Sequence, residues 1–151
     1  MDDASVTLSV CLRCRDGREI RETDLDQRGG RRLARAILSA FSASDAARHG
    51  VSLRGVNCMS QCKRPCTIAL SAPGRFTYLF GDLDPETNAP EALAVAAAYA
   101  QSETGFLTRA ERPEVLQAGI LGRIPPLGFD GDLVEPLPPI TTENSEETDQ
   151  T

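Results

Sequence analysis

Val6, Leu8 and Val10 alternate with Thr7 and Ser9, which predicts a strand over residues 5–11 that ends at Cys11. A polar, turn-rich stretch follows, RCRDGREIRETDLDQRGG, and then the period changes. Leu33, Ile37 and Phe41 recur at helical spacing with Ala34 and Leu38 beside them, predicting a helix from about Gly30 to Ser44. Residues 51–58, VSLRGVNC, read as a second strand, again closed by a cysteine. Farther on, TIALS and RFTYLF flank Ala72-Pro73-Gly74-Arg75. Proline followed by glycine suits the centre of a type II turn, so a hairpin is expected, with Phe76, Tyr78 and Phe80 on one face.

Asn88-x-x-Glu91 has the form of a capping box, and Ala92, Val95, Ala96 and Tyr99 make an apolar stripe behind it. A helix is expected there, and its lack of bulk suits close packing on a sheet. Residues 111–123, ERPEVLQAGILGR, predict one more helix with Val115, Leu116 and Ile120 inward and Thr108 as its cap, three residues before Glu111. The remainder, IPPLGFDGDLVEPLPPITTENSEETDQT, is rich in proline and then acidic, which predicts an extended and finally disordered end.

The order is therefore β-α-β, then β-β-α, then a short helical extension. A right-handed βαβ crossover makes its two strands parallel. Cys11 and Cys58 end those two strands, so both fall on the same edge of the sheet, where open α/β sheets place ligands.

With 151 residues the chain has room for a core, and no apolar run approaches the length of a membrane span. The first residues are acidic and lack a signal-peptide pattern, so a cytoplasmic protein is expected. Net charge is -6, but residues 135–151 hold five acidic residues and no basic one, leaving a single net negative charge on residues 1–134. That balance speaks against nucleic-acid binding, which needs a basic excess.

Five cysteines in a reducing compartment point to ligands or redox groups rather than disulfides, and an odd number excludes complete pairing. Their pattern is Cys11-x2-Cys14 and Cys58-x3-Cys62-x3-Cys66. Four thiolates satisfy an iron-sulfur cluster or a tetrahedral zinc site. Zinc ribbons favour two CxxC-like knuckles, and the second group here is spaced more widely; His49, at a helix-strand junction, reads as a surface residue. A dithiol on Cys11 and Cys14 is the third reading, but RDGRE interrupts where a long helix should begin, and the second cysteine group is left unexplained. The radical-enzyme motif CxxxCxxC is excluded by its last interval and by the length of the chain. Arg13, Arg15, Lys63 and Arg64 sit within the two cysteine loops, where they would offset the charge of an anionic cluster.

The stretch GVNCMSQCKRPCTIALSAPGRFTYLFGDL resembles the second half of thioredoxin-like two-iron ferredoxins. Residues 5–125 are also similar to a family of small bacterial proteins described as predicted metal-binding proteins, through VCLRC, CMSQCKRPC, APGRFTYLFGDL and GRIPP. The resemblance matches Cys58 and Cys62 to the CxxxC ligands of the ferredoxins and Cys11 to their first ligand. The second ferredoxin ligand lies farther along the first loop, where this sequence has no cysteine, so Cys14 or Cys66 must take its place. The set taken here is Cys11, Cys14, Cys58 and Cys62, with Cys66 as the alternate.

These readings together set the expectation. It is an α/β, thioredoxin-like domain over residues 1–104, a helical extension over 105–134 and an acidic disordered tail over 135–151. The expected function is electron transfer through a [2Fe-2S] cluster, without catalysis of its own. A [4Fe-4S] cluster, or zinc in a trafficking module, on the same thiols is the alternative, and a dithiol oxidoreductase the third. The resemblance further implies a protein redox partner in cobalamin synthesis and is compatible with a homodimer; neither nucleic acid nor membrane is expected as a partner.

Overall fold

The structure, a computed structural model, describes residues 5–17 and 25–138. Five strands form one sheet: β1 (Thr7–Cys11), β2 (Ser52–Val56), β3 (Ile68–Ser71), β4 (Thr77–Phe80) and β5 (Ile120–Ile124), in the order β2-β1-β3-β4-β5. β1 and β2 run parallel, while the β1-β3, β3-β4 and β4-β5 pairs are antiparallel. Four α-helices accompany them among the described residues: α1 (Gly29–Phe41), α2 (Asp45–Arg48), α3 (Ala89–Gln101) and α4 (Glu114–Ala118).

The register stacks Leu8, Val10, Ile68, Leu70, Tyr78 and Phe80 on one face of the sheet. All six are buried. α1 and α3 pack on each other and on this face, α1 through Leu33 and Ile37, α3 through Ala92, Val95, Ala96 and Tyr99. The alanines of α3 allow the close approach that the sequence implied. Across the sheet Thr7, Ser9, Ala69 and Leu79 point the other way; Ser9 is buried and the other three are half-buried.

The expected hairpin forms, with Arg75 N–H donating to Ala72 O (3.2 Å) and Gly74 supplying the left-handed backbone at φ 71°. Three expectations are revised. α1 stops at Phe41 instead of reaching Ser44. The Ser44 hydroxyl donates back to Phe41 O (2.6 Å) and accepts from Ala47 N–H (3.3 Å), so this serine ends one helix and caps α2. The capping box expected at Asn88 and Glu91 is not made: Asn88 Oδ1 accepts from Asp84 N–H (2.7 Å), and its amide donates to Glu91 Oε1 (3.2 Å).

The third revision concerns residues 111–123. Thr108 and Glu111 do form a capping box, but around a single 3-10 turn, Arg109–Glu111. α4 then spans five residues, and Ile120 begins a strand paired with β4. Gly119 ends α4 because a side chain there would lie 2.8 Å from Gly81 O; the chain passes hard against β4 and continues as its neighbour. The extension is therefore a turn, a short helix and an edge strand. Tyr78 fastens it to the sheet, donating to Leu107 O (3.1 Å) and accepting from Leu107 N–H (2.8 Å). Of the acidic tail expected to be disordered over residues 135–151, residues 135–138 are exposed and outside any helix or strand, and residues 139–151 lie outside the described part of the chain.

Candidate metal centre

β1 delivers Cys11 to the edge of the sheet predicted from the βαβ topology. Its N–H donates to Thr67 O (3.0 Å), and the next residue, Leu12, donates to Val56 O (2.8 Å), so both neighbouring strands hold this corner. The loop then turns Cys14 inward. α1 begins directly beneath it, with Gly30 N–H donating to Cys14 O (2.9 Å). Two glycines permit this contact. A side-chain carbon on Gly30 would lie 2.0 Å from Cys11 O, and one on Gly29 would lie 2.9 Å from Cys66 Sγ.

Cys66 enters from the far side. It exchanges two main-chain hydrogen bonds with Leu83, N–H to Leu83 O at 3.0 Å and O from Leu83 N–H at 3.2 Å, which prolong the β3-β4 ladder and fix the thiol in the core. Cys11, Cys14 and Cys66 are all buried, whereas Cys58 and Cys62 are exposed. All five are free thiols.

The three buried sulfurs interact through Cys14. Cys66, then Cys11, hydrogen-bond its sulfur, and together they outweigh burial and hold the Cys14 thiol down to about 6. Cys66 is pushed up, first by its bond to Cys14 and then by burial. Burial also pushes Cys11 up, against main-chain N–H groups of Arg13 and Met59 that stabilise its thiolate. Thr67 adds a contact: its Oγ1 lies 3.7 Å from Cys14 Sγ, and its hydroxyl lies within hydrogen-bond reach of Arg64 O at 3.3 Å. The Met59 contact also places the Cys58 loop against Cys11. Within that loop Ser60 N–H donates to Cys58 Sγ (3.4 Å), and Cys58 itself takes φ 121°, uncommon for a residue with a side chain.

The structure thus brings Cys14 into contact with both Cys11 and Cys66 and leaves Cys58 and Cys62 exposed on the adjoining loop. Among the described residues no three His, Cys, Asp or Glu side chains stand arranged around a common metal position. The donor chemistry nonetheless suits a thiophilic centre: one thiol is held close to its ionised form, and the neighbouring thiols come from three separate segments. Of the charges expected to offset a cluster, Arg64 is committed elsewhere, to Asp82 (Nη2 to Oδ2 2.6 Å). His49 lies exposed at the end of α2, as expected of a surface residue.

Sequence reasoning overlooked a second set of residues. Arg32, on the first turns of α1, forks onto Asp16 of the cysteine loop (2.5 and 3.3 Å), while its Nε donates to Glu86 (3.0 Å) and Nη1 to Gln27 O (2.8 Å). One guanidinium therefore joins the cysteine loop, the start of α1 and the β4-α3 connection. Nothing periodic in the sequence announces such a contact.

The chain belongs to the family described as "Protein of unknown function (DUF1636)", which matches residues 8–126. No curated protein shows significant similarity to it. Among solved structures it is similar to a thioredoxin-like [2Fe-2S] ferredoxin from Aquifex aeolicus, with 15% identity, 84% of this chain and 99% of that chain covered, and a TM-score of 0.51. The wild-type thioredoxin-like [2Fe-2S] ferredoxin from Aquifex aeolicus matches more weakly, at 13% identity over 55% of this chain and 77% of that one, with a TM-score of 0.38. The first likeness establishes a thioredoxin-like fold. Among the described residues no helix is long and apolar enough to cross a membrane.

Proposed function

We propose that this protein is a thiolate-ligated iron-sulfur protein that carries single electrons to or from a protein partner, with a [2Fe-2S] cluster at the cysteine edge of the sheet. The observation that carries this reading is the convergence of both cysteine groups on one corner, with Cys14 held toward its thiolate by Cys66 and Cys11. The ferredoxin-like fold supports it. Cys11, Cys14, Cys58 and Cys62 would hold the cluster, and Cys66, in contact with Cys14, is the alternate ligand. Such a cluster supplies a one-electron couple whose potential follows charge and hydrogen bonding at its sulfurs. The chain contributes the main-chain donors Arg13 and Met59 toward Cys11, and a buried setting that keeps water from Cys14.

Metal and sulfide analysis with an absorption spectrum, on protein purified without oxygen, tests the proposal. About two iron and two sulfide per chain with visible charge-transfer bands are expected. Stoichiometric zinc without colour overturns it in favour of a structural or trafficking site. The depressed Cys14 thiol favours one further reading, a dithiol that cycles to a disulfide. Metal-free protein whose disulfide-reducing activity vanishes on Cys14→Ser would select that reading.

A further inference from the structure

Away from the cysteine corner, α1 and the edge strand β2 fail to close on each other. The helix turns small Ala34 toward the strand, and Gly55 of β2 offers no side chain at all. A cavity of about 390 Å³ remains between them, within the size range of small-molecule sites. Its floor is apolar, with Leu12, Ile37 and Leu53, and Leu38 overhangs it with 63% of its surface exposed. Gly55 is what admits Leu12: a side-chain carbon there would lie 2.4 Å from Leu12 Cδ1.

The rim is charged. Arg31 and Arg35 stand one helical turn apart on the same side of α1. The Arg31 side chain makes no hydrogen bond or ion pair among the described residues. Arg35 gives one Nη2 bond to Asp26 O (2.9 Å), a main-chain acceptor that leaves its charge unneutralised. Arg54 contributes only its main chain, because its Nε donates to Ser9 Oγ (2.7 Å) on the opposite face of the sheet. With Asp26 as the acidic residue of the lining, the rim keeps an excess of one positive charge among the described residues.

We propose that this groove binds a small amphipathic carboxylate, its apolar tail against Leu12, Ile37 and Leu53 and its head between Arg31 and Arg35. An apolar floor rewards hydrocarbon without selecting its end, whereas two guanidiniums that make no ion pair among the described residues, and outnumber the one carboxylate of the rim, select an anion. Leu12 separates Cys11 from Cys14, so an occupant touches the loop that carries both thiols. The site stands on its own residues and does not depend on what the cysteines hold.

Full-length protein titrated with decanoate, below its micellar concentration, and in parallel with uncharged decanol tests this by amide chemical shifts. Saturable one-site binding of decanoate is expected, with shifts centred on Leu12, Leu38 and Leu53. Decanol should bind about tenfold more weakly, the loss of charge-assisted bonding. The double variant R31Q/R35Q, which keeps two good helix formers on an accessible surface, should weaken decanoate about tenfold and leave decanol unchanged. Absence of saturation at about 1 mM, or shifts centred elsewhere, overturns the site. Equal affinity for decanol, or no effect of R31Q/R35Q, overturns the anion assignment.

Discussion

Gly29 lies so close to Cys66 that a methyl group on its α-carbon would stand 2.9 Å from Cys66 Sγ and 3.0 Å from Asp16 Cβ. At the next position the methyl would stand 2.0 Å from the carbonyl oxygen of Cys11. The start of α1 is thus wedged into the cysteine corner with no room for a side chain. Alanine ordinarily stabilises a helix by about 1 kcal/mol over glycine. Here the clash opposes that gain, and at Gly30 the obstacle is main chain held by two strands. Gly30→Ala is expected to lower stability by about 1–3 kcal/mol in denaturant unfolding, and Gly29→Ala by less, because a thiol can yield. A neutral or stabilising Gly30→Ala would show that the corner is looser than its geometry implies.

The clamp beneath this corner separates into a strong and a weak half. The Arg32 and Asp16 side chains are 16% and 10% exposed, whereas Glu86 is 54% exposed. Arg32→Met takes the guanidinium partner from a mostly buried carboxylate and should cost about 2–4 kcal/mol. Glu86→Ala should cost at most about 1 kcal/mol. Asp16→Asn combined with Arg32→Met is expected to cost less than the sum of the two, by about 1 kcal/mol or more in a double-mutant cycle. Strict additivity would mean that the pair does not act as a unit.

Tyr78 gives a comparable test for the C-terminal extension. Its hydroxyl serves both the N–H and the carbonyl of Leu107, all of them buried. Tyr78→Phe leaves two main-chain groups without a partner and should cost about 1–3 kcal/mol. Hydrogen exchange should rise at Leu107 and along β5 ahead of the rest of the sheet. Uniform acceleration over the whole chain would indicate global destabilisation instead.

Alternation in β1, the Pro73-Gly74 turn and the alanine stripe of α3 were legible because each is a local pattern with a local cause. β5 was not. Val115, Leu116 and Ile120 can be placed on one side of a helix, and only the pairing of Ile120 with Phe80, forty positions away, turns the second half of that stretch into a strand. The same holds at the candidate site. The parallel β1-β2 pair placed Cys11 and Cys58 at one edge, a consequence of crossover handedness. The meeting of Cys14 with Cys66 depends on where the first loop settles against the end of β3, and no spacing encodes that. Arg32 and Asp16 likewise look like ordinary surface charges until the fold joins them.

Under the proposed function, Cys58 and Cys62 are expected to be indispensable although they are exposed, because an adjoining loop must complete the thiolate set. Cys58→Ser or Cys62→Ser should abolish bound iron and the visible spectrum, while Cys66→Ser should reduce cluster content less. Either loop variant retaining full iron and an unchanged spectrum would remove both residues from the ligand set.

Metal-free, reduced protein should show a stability maximum in mildly alkaline solution. The folded chain holds Cys14 at about 6, below the ordinary thiol value, while the bond to Cys14 and then burial hold Cys66 above it and burial holds Cys11 above it. Between pH about 6 and about 8.5 the unfolded chain keeps a proton on Cys14 that the folded chain has released, so stability rises with pH. The Cys14 contribution is complete above about 8.5 and is lost as pH falls through about 6. Above about 8.5 the unfolded chain releases protons from Cys11 and Cys66 that the folded chain retains, so stability then declines. Unfolding midpoints across this range under strict reduction measure the curve; a monotonic profile would contradict the opposed shifts.

Cys66 can be isolated as the main cause of the Cys14 shift. Cys66→Ala removes the hydrogen bond that ranks first in holding Cys14 down, leaving Cys11 and Thr67 to oppose burial. Thiolate absorbance of the metal-free protein should then titrate closer to the ordinary range near about 8.5. Cys66→Ser keeps a donor at the same place and should move the midpoint less. Because Gly29 would crowd any bulkier replacement, alanine and serine also leave the start of α1 undisturbed. An unchanged midpoint in Cys66→Ala, with the fold intact by circular dichroism, would assign the depressed thiol to α1 and the surrounding main chain rather than to its neighbour in the core.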